Sequence, residues 1–231
     1  MKAQKNNLAF FKKIAPFLGA LVLVPSLLFN FYLYQKNQKL ESVYLVEKVI
    51  DGDSLVLKND QSIRLGNLYA PELEFCGGKQ AKEKLEELVL GKIVRLEVFS
   101  HDQFNRPLAL VYINNTLVNE VLLKEGWGRY DGTPSPQRDL LKKAYDDALE
   151  NKKGIFGSLC VQEKPEKENC LIKGNINRNS NEKTYHFPGC SEYERSMVEK
   201  DLGESWFCSE KEAQKAGFAK ATNCFGRDYK P

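Results

Sequence analysis

The chain has 231 residues, of which 42% are hydrophobic and 28% charged, and its formal net charge is +3 at pH 7. That length allows one medium domain with a small appendage, and the apolar fraction is enough for a packed core. So small a net charge excludes a general electrostatic grip on polyanions, which needs a concentrated basic face, so any nucleic-acid function has to rest on a particular site.

Residues 1–13 form a basic stub carrying Lys2, Lys5, Lys12 and Lys13. The run Ile14–Tyr34, IAPFLGALVLVPSLLFNFYLY, follows without a charge and is long enough to cross roughly 30 Å of hydrocarbon. Only Lys36 and Lys39 follow closely, so the positive-inside rule predicts a transmembrane helix over 14–34, a cytoplasmic N-terminus and a folded part outside. The alternative is secretion after signal-peptide cleavage, against which stand the length of the run and the lack of an A-x-A site after it. Residues 35–42 read as a linker.

From Tyr44 to Lys58 the sequence alternates and is β-branched, broken by Asp51-Gly52-Asp53, which predicts two strands around a tight turn. A third strand is expected in SIRLGNLY, from Ser62 to Tyr69. Ala81, Leu85, Leu88 and Val89 recur at helical spacing between Gly78 and Leu90, and Gly91 suits the position after a helix end. Strands at about Ile93–Phe99 and Leu108–Ile113 are joined by the polar stretch SHDQFNRP. A short helix, Val118–Glu125, stops at Gly126, and a longer one at about Gln137–Lys152 carries Leu140, Leu141, Ala144, Tyr145 and Ala148 on one face. Three strands, a helix, two strands and two helices, with strands too close together for βαβ crossovers, predict a mainly β fold of the OB type: a five-stranded barrel with about three helices over residues 43–160.

The stretch 161–169, VQEKPEKEN, is charged and aperiodic and reads as a second linker. Residues 170–224 then form a small α+β module rich in cysteine, followed by a tail at 225–231. The six cysteines are an even number in a segment expected outside the membrane, so pairing is the default, with 15 connectivities open. Cys76 and Cys160 belong to the first domain, where a bridge would fasten its last helix to the loop after the third strand. Cys170, Cys190, Cys208 and Cys224 could form two disulfides or a four-thiolate Zn2+ site.

Chemistry concentrates in the first domain. Asp51 and Asp53 lie in the first turn, Arg64 and Glu72 flank a strand end, and Arg106 sits in a later connection. Phosphodiester hydrolysis builds negative charge on the phosphoryl oxygens, which guanidinium forks stabilise more in the transition state than in the ground state. A carboxylate can hold a hard cation or orient the attacking water.

Three blocks, VIDGDSLVL, IRLGNLYAPE and DQFNRPLALVYINNTLVNEVLLKEGW, resemble the successive motifs of the staphylococcal nuclease family, V-x-D-G-D-T, R-L-x-G-I-D-x-P-E and D-x-Y-G-R with V-N-x-x-L-V-x-x-G. The likeness covers about Val43 to Phe156. It implies an OB-fold nuclease that binds Ca2+ and cuts DNA or RNA, which the apolar run 14–34 is expected to display on a membrane. Position by position it makes Arg64 and Arg106 the phosphate-gripping arginines and Glu72 the water-orienting carboxylate. Asp53 becomes a metal ligand with Asp51 beside it, the carbonyl of Ala70 a further oxygen, and Phe104 a nucleotide contact. Tyr69 departs from the pattern, standing where the family has its second metal-binding aspartate. The other reading of the same residues is a module that binds nucleic acid, or an envelope partner, without cutting.

In the C-terminal module, TYHFPGC and EAQKAGFAKATNC resemble the metal-binding module of Ada-type alkylation-repair proteins through Tyr185, His186, Pro188, Cys190, Glu212, Ala213, Ala216, Gly217, Phe218 and Cys224. Ala221 and Glu194 stand where that pattern has cysteines, so alkyl transfer is not expected.

Overall fold

Val43–Val49 (β1) and Ser54–Leu57 (β2) pair antiparallel across the turn at residues 50–53, as expected. A register shift between Val46 and Lys48 lets both Val46 and Val49 face the core despite their odd spacing. Strict alternation buries Leu55 and Leu57 on β2, and Ile63 and Leu65 on β3, Ser62–Leu65. β4 is Ile93–His101 and β5 is Pro107–Ile113. Ala109, Leu110 and Val111 of β5 are buried in succession, the pattern of a strand covered on both faces.

β1 pairs with β2 and β4, β2 with β3, β4 with β5, and β3 returns to β5 in parallel. These pairings close a five-stranded barrel of the OB type. A two-residue strand, β6 (Thr116–Leu117), extends the β5 edge. Helix α1, Gly78–Val89, buries Ala81, Leu85 and Val89. Helix α2, Val118–Glu125, buries Leu122 and Leu123 and ends at Gly126, whose φ of 78° needs a residue without a Cβ. Helix α3, Arg138–Glu150, buries Leu141, Ala144 and Ala148. Leu140, expected on the same face, lies at the edge of that stripe and is exposed.

The computed structural model describes residues 43–230 together with 26 and 28–30. The run Ile14–Tyr34, expected to span a membrane, lies outside the described residues apart from those four. Among the described residues no helix is long and apolar enough to cross a membrane.

Beyond the barrel, the stretch expected as a linker begins with a short strand, β7 (Val161–Gln162), which pairs with β10 (Val198–Glu199). A four-stranded sheet runs in the order β11 (Ser205–Phe207), β8 (Ile172–Ile176), β9 (Lys183–His186), β12 (Ala219–Lys220). Helix α4, Glu210–Lys215, starts at Ser209, whose hydroxyl accepts from the amide of Glu212. Ile172, Tyr185, Phe187, Ala213 and Phe218 form the core of this module.

All six cysteines are paired, as Cys76–Cys160, Cys170–Cys208 and Cys190–Cys224. The four-thiolate zinc alternative therefore falls, because its sulfurs are spent on bridges. Among the described residues no group of three His, Cys, Asp or Glu side chains could hold a metal ion. The resemblance to a metal-binding module is not supported.

Candidate active site

The site grows from the turn between β1 and β2. A Cβ on Gly52 would lie 2.6 Å from the Cβ atoms of both Ala70 and Ala81, so only glycine lets the turn pack against the segment after β3 and against α1. Asp51 holds the turn by accepting the amide of Asp53 at 3.0 Å. The Asp53 carboxylate is only 3% exposed. Its Oδ1 accepts from Ser54 Oγ at 2.9 Å and forms an ion pair with Arg64 Nη1 at 2.8 Å. Its Oδ2 accepts from Arg64 Nη2 at 2.8 Å and from the Ala70 amide at 3.0 Å. Arg64 reaches it because Ser54 and Arg64 are partners across the β2–β3 ladder. Burial pushes the Asp53 carboxyl up to about 7, with Arg64 pulling it down and Asp51 adding to the rise.

β3 stops at Leu65 and does not run on to Tyr69 as expected. Gly66 lies against the Phe99 ring, and Asn67 takes a φ of 59°, so the chain turns there. Tyr69 instead makes an isolated antiparallel bridge with Arg129, each amide donating to the other residue's carbonyl at 2.8 Å. The Tyr69 ring is 43% exposed, with the Arg64 guanidinium carbon 5.8 Å from its centre. Burial first, then Glu72 and Asp53, raise its hydroxyl above the ordinary tyrosine value. Glu72 is exposed, on a loop folded by a Phe75 amide to Glu72 carbonyl bond of 2.9 Å. Gly78 opens α1 so tightly against the Glu72 carbonyl that a Cβ there would collide with it.

A second cluster lies at the start of β5. Asp102 Oδ1 accepts the amides of Phe104 and Arg106, both at 2.9 Å, and Oδ2 accepts Arg106 Nε at 2.7 Å. Asn105 occupies this turn with a φ of 60°, a conformation that asparagine tolerates. The Phe104 ring is 71% exposed and 5.6 Å from the Arg106 guanidinium carbon. The parallel pairing matches Arg64 with Leu108, so Arg106, in the turn that enters β5, stands two residues before Arg64's partner. Asp51, Asp53, Arg64, Ala70 and Glu72 thus lie on the β1–β2 turn, on β3 and on the loop beyond, with Arg106 and Phe104 in the turn that leads into the adjacent strand β5.

Three contributors escaped the sequence reading. Ser54 completes the Asp53 shell. Asn119, fully buried in α2, accepts the Val111 amide at 2.9 Å and donates to the carbonyls of Gly66 at 2.8 Å and Ala109 at 3.1 Å. It ties β5 to the end of β3, and its sequence signals are a polar residue within the apolar run LVNEVLL and the asparagine of the V-N-x-x-L-V-x-x-G block. Arg129, which pairs with Tyr69, has no local signal at all.

The donor set, as folded, does not fit the Ca2+ that the family likeness implies. The Asp53 carboxylate already accepts three hydrogen bonds and pairs with the second Arg64 nitrogen, which leaves little lone-pair capacity for a cation. Two of those partners belong to a cationic guanidinium, and Tyr69 offers an uncharged phenol where a calcium site gains from a carboxylate.

The family model described as staphylococcal nuclease homologue matches residues 62–158. That span contains Arg64, Glu72 and Arg106, and begins after Asp51 and Asp53. An uncharacterized endonuclease of Haemophilus influenzae is 34% identical over 109 residues, covering 46% of this chain and 61% of that protein. A staphylococcal-like nuclease of Arabidopsis thaliana is 31% identical over 107 residues, covering 45% of this chain and 32% of that protein. An uncharacterized endonuclease of Escherichia coli O157:H7 is 28% identical over 119 residues, covering 48% of this chain and 74% of that protein. The chain thus spans about a third of the length of the plant relative, and the family-model match ends at residue 158, before the C-terminal module.

Proposed function

We propose that the barrel domain is a nuclease that hydrolyses phosphodiesters of DNA or RNA. The observation that carries this reading is the parallel β3–β5 pairing, which sets Arg64 opposite Leu108, two residues after Arg106 in the turn before β5, with the exposed carboxylate of Glu72 on the loop beyond β3. The match of residues 62–158 to nuclease homologues supports it. In the mechanism, the phosphate enters between the two arginines and competes with Asp53 for the Arg64 fork. As water attacks phosphorus, charge grows on the non-bridging oxygens, both guanidinium groups stabilise it, and one P–O ester bond breaks, its oxygen leaving as an alcohol that takes a proton from solvent. Glu72 orients that water and accepts its proton, a task suited to an exposed carboxylate with room beside it. Phe104 offers an exposed ring for a base to stack on. Calcium, where bound, would polarise the phosphate; the donor set gives no ground for a step through it.

The three disulfides support an exported location for the folded part, since such bridges persist in oxidising compartments. We propose that the run Ile14–Tyr34 tethers it to the membrane with the N-terminus inside.

The closed Asp53–Arg64 fork favours a second reading, in which the same surface binds nucleic acid without cutting it. One experiment separates the two: digestion of labelled single-stranded DNA by the full chain in detergent, with calcium in one arm and a chelator in the other, for the parent and for Arg106→Ala. The expected result is cleavage by the parent and a loss of about a hundredfold or more in Arg106→Ala, the scale of losing a transition-state donor. Binding without cleavage in both arms overturns the catalytic reading and leaves the binding module.

A further inference from the structure

The loop that carries Glu72 is gripped from behind by the C-terminal module. Arg129, whose backbone pairs with Tyr69, is 6% exposed and sends its guanidinium into that module. Its Nε donates to Asp201 Oδ2 at 2.7 Å and its Nη2 to Asp201 Oδ1 at 3.0 Å, while the same Nη2 reaches Glu199 Oε1 at 3.2 Å. Asp201 is 2% exposed, so this fork is sealed from water. Its underside is the Phe156 ring, 5.2 Å from the guanidinium carbon.

The same short segment of the module meets the loop directly. The Cys76 amide donates to the Lys200 carbonyl at 3.3 Å, and the Lys200 amide donates to the Cys160 carbonyl at 2.9 Å, so the module's backbone threads between the two cysteines of one bridge. The Phe75 ring rests on Gly203, where a Cβ would lie 2.7 Å from Phe75 Cζ. Gly203, at a φ of 83°, provides the flat surface that this ring needs. Tyr69, Phe75 and Cys76, which bracket Glu72, therefore each connect to the stretch 199–203, Tyr69 through Arg129.

We propose that the C-terminal module is a fixed scaffold of the active site, and that Arg129 and Asp201 are positioning residues that hold the Tyr69–Gly78 segment, and with it Glu72, in its working place. The kinetic part of this proposal rests on the nuclease reading; the structural part does not. A desolvated two-pronged guanidinium–carboxylate pair restricts orientation more than a single contact can. A carboxylate that must orient water gains from being held by such a supporting shell.

The test is amide hydrogen exchange and single-stranded DNA cleavage on the full chain, comparing the parent with Asp201→Asn and Glu199→Gln. In Asp201→Asn the amides of Phe75, Cys76 and Gly78 should exchange about tenfold faster or more, because removing one partner of a buried pair strands the other charge. Barrel amides such as Leu65 and Val111 should keep the parent's rates, and kcat should fall with KM little changed. Glu199→Gln, which leaves the Arg129–Asp201 fork intact, should show the same pattern more weakly, and it carries the test if Asp201→Asn does not fold. Loop amides that exchange as in the parent, or a uniform rise across loop and barrel, overturn the proposal. A parent that cuts nothing, with the loop loosened selectively in the variants, refutes the nuclease reading and leaves the scaffold standing.

Discussion

The Asp53 carboxyl holds its proton up to about 7 because burial opposes its charge more strongly than Arg64 favours it. The folded state therefore binds this proton more tightly than the unfolded chain, where the ordinary value is 3.8. Its contribution to stability is complete below about pH 4 and is lost as the pH rises through about 7. Asp53→Asn, which cannot ionise, should remove that component. Melting temperatures measured between pH 4 and 8 should fall less steeply for the variant than for the parent, and parallel profiles would contradict this account. At this scale the sequence revealed only part of the site. Arg64, Glu72 and Arg106 were legible because each is a charge set in or beside an apolar strand pattern at the spacing of a recognisable block. The Arg129–Asp201 pair was not, since its members lie 72 residues apart and no local periodicity encodes so distant a partner.

Strands β3 and β5 matter more to the site than their lengths suggest, because their parallel pairing sets Arg64 beside the start of β5, just after the turn that carries Arg106. Asn119 joins the end of β3 to β5 through three hydrogen bonds to backbone groups. Asn119→Ala should cost about 2–4 kcal/mol, since it leaves buried backbone donors and acceptors without partners. Urea unfolding of the full chain measures it, and a loss below about 0.5 kcal/mol would show that water or a backbone shift replaces the bonds. The strands and helices of the barrel followed from alternation and from glycines at helix ends. The third strand did not keep its expected length. Its apolar pattern continues to Tyr69, while the chain turns at Asn67, φ 59°, just after Gly66 packs against the Phe99 ring, a contact that a linear reading does not contain.

For the whole molecule, the bridge pattern makes a direct demand. With every cysteine paired, alkylation without reductant should label none of the six in the native chain, as read by intact mass. Several labelled thiols would exclude these pairings. Reduction should lower stability substantially. Cys76–Cys160 alone closes a separation of 84 residues, and restricting the unfolded chain by a loop of that size contributes roughly 4 kcal/mol in the chain-entropy account. The sequence predicted the two folded parts from composition and cysteine spacing. It did not predict that the second leans on the first, because the joining contacts come from β7, β10 and the 200–203 turn, segments too short to carry a pattern of their own.

The bridges also decide what a single cut in the chain can release. One closes over residues 77–159, and the two in the C-terminal module interleave, so that any break between 171 and 223 is spanned by at least one of them. A protease acting anywhere in these stretches leaves its two products covalently joined. Between Cys76 and Cys224 the one gap is the charged stretch 161–169, where Lys164 and Lys167 are exposed and no bridge crosses. There a single scission separates scaffold from barrel in every covalent sense, and the buried Arg129–Asp201 fork and its neighbouring backbone bonds become the joint that keeps the halves together.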